Sequence, residues 1–184
     1  IIAVIPAKGQ STRLPNKNMS DINGRPMLDF TIEYARRSKL ISEIYVSTED
    51  AVIAEHCKSL SVEVITRDAS LCGETPIIDV YRDAYMRLEN SRIDTLVGLQ
   101  PDHPDRLLAV DDVIDQFIDS NAEQLISTEA DGTKNGAHYI LSKSVLLGKC
   151  PKDMLTVIDD CTNVHFTQDI ERVAQRLAVR SGVN

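Results

Sequence analysis

The 184-residue sequence predicts an α/β protein, a three-layer α/β/α sandwich of Rossmann-like type around a mostly parallel sheet. Three observations carry that expectation. Short β-branched runs alternate with helical segments of ten or more residues, the pattern of βαβ units. The first run, Ile1 to Ile5, is almost entirely β-branched, as in a strand buried on both faces of a parallel sheet. Pro6 ends that run, having no N–H for the ladder, and a small, polar, basic loop follows at once.

That loop, Ala7 to Asn18, includes Lys8, Gly9, Ser11, Thr12, Arg13 and Lys17. It places backbone N–H groups and cations at the carboxyl edge of the sheet, where open α/β sheets bind ligands and where polyphosphates find positive charge. It is neither GxxxxGK[ST] nor GxGxxG. Asn23-Gly24 marks a turn, and Pro26 suits the first position of a helix from Met27 to Ser38 with Leu28, Ile32 and Ala35 on one face. Ile44 to Ser47 reads as a buried strand, and Thr48-Glu49-Asp50 as the cap of a helix carrying Val52, Ile53, His56, Cys57 and Leu60. Val62 to Ile65 is the next strand, Ile77 to Leu88 a strongly periodic helix, and Thr95 to Leu99 a fourth strand. A helix from about Leu107 to Asp119 buries Leu108, Val113, Ile114 and Phe117. Leu125 to Thr128, His138 to Leu141 and Met154 to Ile158 read as strands, and Gln168 to Arg180 as a last helix with Ile170, Val173, Ala174 and Leu177 inward. With no internal repeat, low-complexity tract or linker, residues 1–184 are expected to form one domain.

The totals narrow the partners. A net charge of −8 argues against nucleic acid and makes the cations of the first loop stand out. No apolar run approaches the ~18–20 residues that cross a bilayer, and no leader is visible, so no membrane partner is expected. Cys57, Cys72, Cys150 and Cys161 are scattered without CxxC spacing and read as reduced packing residues of a cytoplasmic protein.

The stretch AVIPAKGQSTRLPNKN resembles the signature loop of the cytidylyltransferases that activate sialic acid and Kdo (3-deoxy-manno-octulosonate), a family that also contains some guanylyltransferases. Pro6, Ala7, Lys8, Ser11, Leu14, Pro15, Lys17 and Asn18 fall in register with [IL]-P-A-[RK]-x-x-S-x-x-[IL]-P-x-K-N. The resemblance implies a nucleotide-diphospho-sugar transferase fold in which one later strand runs antiparallel. It also implies that Ala7, Lys8, Gly9, Ser11, Arg13, Lys17 and Asn18 bind the nucleotide, the loop wrapping its triphosphate. Lys8 stands where arginine is usual, which keeps the charge and loses the planar fork.

Three further segments share the resemblance. RDASLCGETPII, residues 67–78, is similar to R-P-x-x-L-x-x-D-T, whose arginine and threonine region read base and ribose. Arg67, Leu71 and Thr75 match, with Glu74 where aspartate is usual; without the resemblance, Glu74 and Thr75 read as helix caps. LQPDHPDR, residues 99–106, mixes the sialic-acid pattern L-Q-P-T-S-P-L-R with the Kdo pattern Q-G-D-E-P. It implies sugar contacts from Gln100 and Arg106 and a Mg²⁺ ligand in Asp102, since Mg²⁺ prefers hard oxygen donors shared with phosphate. By itself Asp102 also reads as a turn carboxylate, and His103 as a solvated loop histidine. NGAHY, residues 135–139, is similar to N-G-A-x-Y just before a strand, with Asn135 on the acceptor sugar or, read alone, in a plain turn.

NVHFTQDIERV, from Asn163, aligns with D-[IV]-D-T-P-E-D-L-E-R-[AV] and departs from it, Asn163 and His165 standing for two metal-binding aspartates. Asp159 and Asp160 lie near enough in sequence to compensate. The segment from Ser127 to Lys134 is too short for the long dimerisation arm of the sialic-acid branch, so any homodimer is expected to use a smaller patch.

Together these imply a CTP-dependent transfer onto a sialic-acid-like or Kdo-like 2-keto sugar acid, with Mg²⁺ as cofactor, pyrophosphate as leaving group, and Lys8, Lys17 and Asp102 as the catalytic set. Two alternatives stay open: a guanylyl- or other nucleotidyltransferase acting on a sugar 1-phosphate, and a nucleotide-binding homologue without catalysis.

Overall fold

β1 (Ile2–Pro6) lies in the middle of a seven-stranded sheet, and its alternation sorts the layers. Ala3 and Ile5 face one core, Ile2 and Val4 the other, and all are buried. The computed structural model describes residues 1–73, 75–88 and 92–180.

After β1 the chain makes a 3₁₀ turn at Lys17–Met19 and a short hairpin of β2 (Asp21–Ile22) and β3 (Arg25–Pro26), then enters α1 (Met27–Arg36). Asn23 and Gly24 take φ of 54° and 82°, the left-handed conformation that this turn demands. β4 (Glu43–Thr48) leads into α2 (Ala51–Ser59), whose N-cap Asp50 accepts hydrogen bonds from the N–H groups of Val52 and Ile53. β5 (Glu63–Thr66), α3 (Ile77–Arg87), β6 (Thr95–Gly98) and α4 (Val110–Ser120) follow. The remainder is β7 (Gln124–Thr128), β8 (Lys134–Ser142), α5 (Lys143–Leu146), β9 (Met154–Ile158) and α6 (Thr167–Arg180).

The strand order is β5-β4-β1-β6-β8-β7-β9. β8 runs antiparallel to both neighbours and the other strand pairs of this sheet are parallel. Helices α1, α2 and α4 cover the Ala3–Ile5 face, and α3 and α5 the Ile2–Val4 face. The expected three layers are therefore present, with the one antiparallel strand. Helix α6 belongs to neither layer. Val173 and Val164 bury themselves against Ile22 and Met27, so α6 closes over the hairpin after the first loop.

Four local expectations are corrected. The helix expected from Leu107 begins at Val110, because the N–H groups of Leu107 and Leu108 turn instead to the Asp159 carboxylate. Helix α1 starts at Met27 with Pro26 as its N-cap rather than its first residue, and Pro26 closes the hairpin. Asn135-Gly136 lies within β8, opposite an irregularity in β7 between Ile126 and Thr128, not in a turn before a strand. Glu74 lies outside the described residues, and Pro76, not Thr75, is the N-cap of α3.

Candidate functional site

A cleft of about 590 Å³ opens at the carboxyl ends of β1 and β6. Lys8, Ser11, Arg13, Lys17 and Asn18 from the first loop line it, with Arg67 and Thr75 from the segment before α3 and Gln100 and Asp102 from the loop after β6. Sequence positions 8 to 102 are thus brought together as expected. Ala7, Gly9, Arg106 and Asn135 are not among the lining residues.

Local geometry shapes the loop. Ala7 prolongs β1, its N–H donating to the Ser47 carbonyl at 2.9 Å, and its methyl is fully buried. Gly9 N–H donates to Glu49 Oε1 at 2.7 Å, and a Cβ at Gly9 would lie 2.3 Å from Asp50 Oδ2. The loop therefore crosses the start of α2 at a distance that admits no side chain. Buried Asn18 donates from Nδ2 to the Lys8 carbonyl at 2.8 Å, joining the two ends of the loop. These three residues hold the loop in shape; Lys8, Ser11 and Arg13 are left to face the cleft.

Lys17 and Asp102 meet across the floor, with Nζ 2.7 Å from Oδ2. Burial pushes the Asp102 carboxyl up, but His103 and the Lys17 ammonium more than offset this and hold it well below the usual carboxylate range. Its Oδ1 lies 3.0 Å from His103 Nδ1 and is buried without a hydrogen-bond partner. His103 is fully buried, which corrects the expectation of a solvated loop histidine: the loop folds inward around the Arg106 guanidinium.

Arg106 is 7% exposed, and its donors go to the carbonyls of Gln100 (2.6 Å), His103 (2.5 Å) and Ala137 (3.0 Å) and to Thr31 Oγ1 (3.0 Å). Asn135 is 5% exposed. It accepts from Ser127 Oγ at 2.6 Å and Ala137 N–H at 3.1 Å and donates to the Asp159 carbonyl at 2.7 Å. Arg106 and Asn135, expected at the sugar, direct these polar groups to each other's neighbouring backbone behind the cleft. Arg67 combines both roles, lining the cleft while donating to the Ser47 carbonyl at 2.6 Å and to Ser47 Oγ at 3.2 Å.

The segment before α6 completes the rim. Val164 N–H donates to the Asp102 carbonyl at 2.9 Å, and the Val164 carbonyl accepts from Lys17 Nζ at 3.1 Å. His165 lines the cleft, its Nδ1 3.3 Å from Arg13 Nη1. Arginine only donates, so Nδ1 is the acceptor and the ring is neutral. Burial, with Lys17 close by, holds the His165 pKa below the ordinary imidazole value. Asp169 caps α6 by accepting from the N–H groups of His165 and Phe166, both at 2.8 Å. Asp159, expected as a spare metal ligand, is fully buried and accepts from Leu107 N–H at 3.0 Å, away from the cleft.

Among the described residues, no group of three or more His, Cys, Asp or Glu side chains converges to hold a metal ion. Asp102, ionised and lining the cleft, is a hard oxygen donor of the kind a divalent cation shared with phosphate takes, and such a cation would compete with Lys17 for Oδ2. Sequence reasoning did not single out the cleft-lining Gln10, Cys72 and Val80, and it missed the Gly9–Glu49 contact and the place of Gly136, which depend on pairing between distant segments.

Comparison with known proteins adds the following. The cytidylyltransferase family model matches residues 2–147. The chain is 32% identical over 117 residues to 3-deoxy-manno-octulosonate cytidylyltransferase of Bdellovibrio bacteriovorus, an alignment covering 64% of this chain and 44% of that protein. It is 34% identical over 104 residues to 8-amino-3,8-dideoxy-manno-octulosonate cytidylyltransferase of Shewanella loihica, covering 56% and 41%. The chain thus spans less than half the length of these curated relatives. Among solved structures, CMP:2-keto-3-deoxy-manno-octonic acid synthetase complexed with CTP superposes with a TM-score of 0.76 at 18% identity, covering 97% of this chain and 98% of that one. HddC from Yersinia pseudotuberculosis superposes at 0.72 and 15% identity, covering 95% and 98%. These two establish the shared fold.

Proposed function

The chain belongs to the cytidylyltransferase family, and from that premise we propose that it transfers a cytidylyl group from CTP to a 2-keto sugar acid of the Kdo type, releasing pyrophosphate. One observation carries the reading. In a chain of net charge −8, the cleft is lined by Lys8, Arg13, Lys17 and Arg67 and, among the described residues, by the single carboxylate Asp102. That excess of positive charge matches a triphosphate.

Lys8 and Arg13 hold the β- and γ-phosphates from the first loop, and Lys17, from the end of the same loop, stands on the floor beside Asp102. Arg67 and Thr75 border the base and ribose, and Gln100 meets the acceptor. The anomeric hydroxyl oxygen of the acceptor bonds to the α-phosphorus as the bond to the departing pyrophosphate breaks, and the hydroxyl proton passes to solvent. Positioning and charge do most of this work, so no protein nucleophile is needed. Asp102 would hold a divalent cation, Mg²⁺ by its preference for oxygen donors, which when bound neutralises phosphate charge. Residues 1–184 act as one nucleotidyltransferase domain. The four free thiols support a reducing compartment, the cytoplasm, and the short link between β7 and β8 leaves self-association to a small patch.

The test is pyrophosphate release with each of the four nucleoside triphosphates against Kdo, amino-Kdo, sialic acid and a panel of sugar 1-phosphates. Turnover with CTP and a keto-sugar acid is expected. Turnover restricted to GTP with a sugar 1-phosphate would replace this reading with a guanylyltransferase, and no turnover with any pair would leave a nucleotide binder.

A further inference from the structure

Gly136 sits inside β8 with φ of 77° and is buried, between Asn135 and Ala137. A Cβ there would lie 2.4 Å from Gln100 Nε2, 3.1 Å from Gln100 Cδ and 3.4 Å from Tyr139 Cε2. The Gln100 carboxamide therefore rests on the bare backbone of residue 136. Both sides of this contact are pinned. Arg106 reaches the Gln100 carbonyl with Nη2 at 2.6 Å and the Ala137 carbonyl with Nε at 3.0 Å, so one guanidinium sets the spacing between the two segments. Asn135 holds the Ala137 N–H at 3.1 Å and the Asp159 carbonyl at 2.7 Å from the far side. With its neighbours held this way, the backbone of residue 136 has no room to retreat from a side chain. The atom in the way is the tip of a flexible side chain, so an added methyl would drive Gln100 from its seat before it moved the strand.

We propose that Gly136 is a specificity-determining positioning residue: its missing side chain seats the Gln100 carboxamide, which reads a hydroxyl of a polyhydroxylated acceptor beside the triphosphate. The proposal rests on the transferase reading above. A carboxamide donates and accepts at once, the complement of an alcohol, whose oxygen accepts while its O–H donates. Lys8 and Arg13 come from the first loop and Gln100 from the loop after β6, so anion binding and hydroxyl reading fall to different segments of the cleft. Glycine at 136 meets two demands together, a positive φ and a vacant Cβ position, and no other residue meets the second.

The test is a double-mutant cycle read by steady-state kinetics with CTP and Kdo. Gly136→Ala and Gln100→Ala should each raise the KM for Kdo about tenfold, the worth of one good hydrogen bond, and leave the KM for CTP unchanged. In the Gln100→Ala background, Gly136→Ala should add nothing to the KM for Kdo. If the two effects multiply instead, or if the KM for CTP rises in step, Gly136 acts on the fold at large and the proposal is overturned. Gln100→Met keeps a side chain of similar length over Gly136 without the carboxamide and leaves residue 136 untouched, so it tests the seated carboxamide even if Gly136→Ala does not fold. It should raise the KM for Kdo to the same degree, and an unchanged KM would overturn the proposal. Wild-type protein that binds CTP but never turns over Kdo would overturn the transferase reading and this inference with it; turnover with additive variants would overturn the inference alone.

Discussion

The two walls of the cleft are built on opposite principles. The first-loop wall presents Lys8 and Arg13 on a loop held by a few contacts to its backbone, with Arg13 exposed and meeting the His165 imidazole across the gap. The other wall, residues 99–106 with residues 134–138 packed behind it, presents one carboxylate, Asp102, already paired with Lys17, and hides Arg106, His103, Asn135 and His138 from the cleft. The first wall works through field, which tolerates small displacements. The second works through shape, where a displacement of an ångström matters. The difference teaches where substitution will be felt: as lost affinity on one wall, as lost stability on the other.

The sharpest way to break that contrast is Arg106→Leu. It strands the carbonyls of Gln100, His103 and Ala137 in a buried setting, and at about 1–3 kcal/mol for each unsatisfied group the expected loss is roughly 3–9 kcal/mol. Urea unfolding measures it; a loss of less than about 1 kcal/mol, the worth of one hydrogen bond, would show the bracing to be dispensable. Lys8→Ala is the counterpart on the other wall. CTP affinity should fall about 100-fold by calorimetry, while the unliganded melting temperature moves little, since a half-exposed lysine contributes well under ~1 kcal/mol to stability. A melting temperature that falls with the affinity would erase the distinction.

The hidden wall should also carry a pH signature. His138 is fully buried, and its pKa lies well below the ordinary imidazole value, chiefly through burial, with Arg106 and His103 adding to it. Its folded pKa is depressed, so the unfolded chain binds the extra proton more readily. The resulting stability is complete above about pH 6.5 and is lost as pH falls toward the folded value, by up to ~1.4 kcal/mol per pH unit. Urea midpoints between pH 7 and 5 should fall accordingly and fall less in His138→Gln; equal slopes would assign the effect to another group. The smallest expected effect is at the rim. His165→Asn retains a neutral acceptor for Arg13 and should change CTP affinity less than about twofold, whereas His165→Ala should weaken it about threefold, a weak exposed hydrogen bond's share.

Much of the first wall was legible in the sequence, because a strand that ends in proline and opens into a small, basic loop already dictates edge, charge and place. The strands were legible for a similar reason: β1 alternates between two buried faces, and a β-branched run has few other uses. The second wall was not. A polar side chain aimed at a substrate and one aimed at a buried carbonyl are the same residue in sequence, and only the pairing of residue 106 with residues 100 and 137 separates them. His103 misled in the same way, since a loop between two prolines looks solvated until it folds around a guanidinium. Gly136 was hidden by its context: Asn-Gly reads as a turn, and only the irregular register of β7 against β8 puts it inside a strand.

The closing of the rim by residues 163–165 has a consequence for synthesis. Lys17 and the carbonyl that holds it are 147 positions apart, and Val164 also secures the backbone of Asp102. A nascent chain emerging from the ribosome gains the first loop and then the loop after β6 with their own contacts, yet the ties of both to Val164 form only when that residue is free to fold. The share of stabilisation by bound nucleotide that depends on this rim therefore arrives in one step, once residue 164 has folded. A ligand present during translation would rescue chains that have passed residue 165 and do little for those that have not, and protease protection of stalled chains of graded length would display that step.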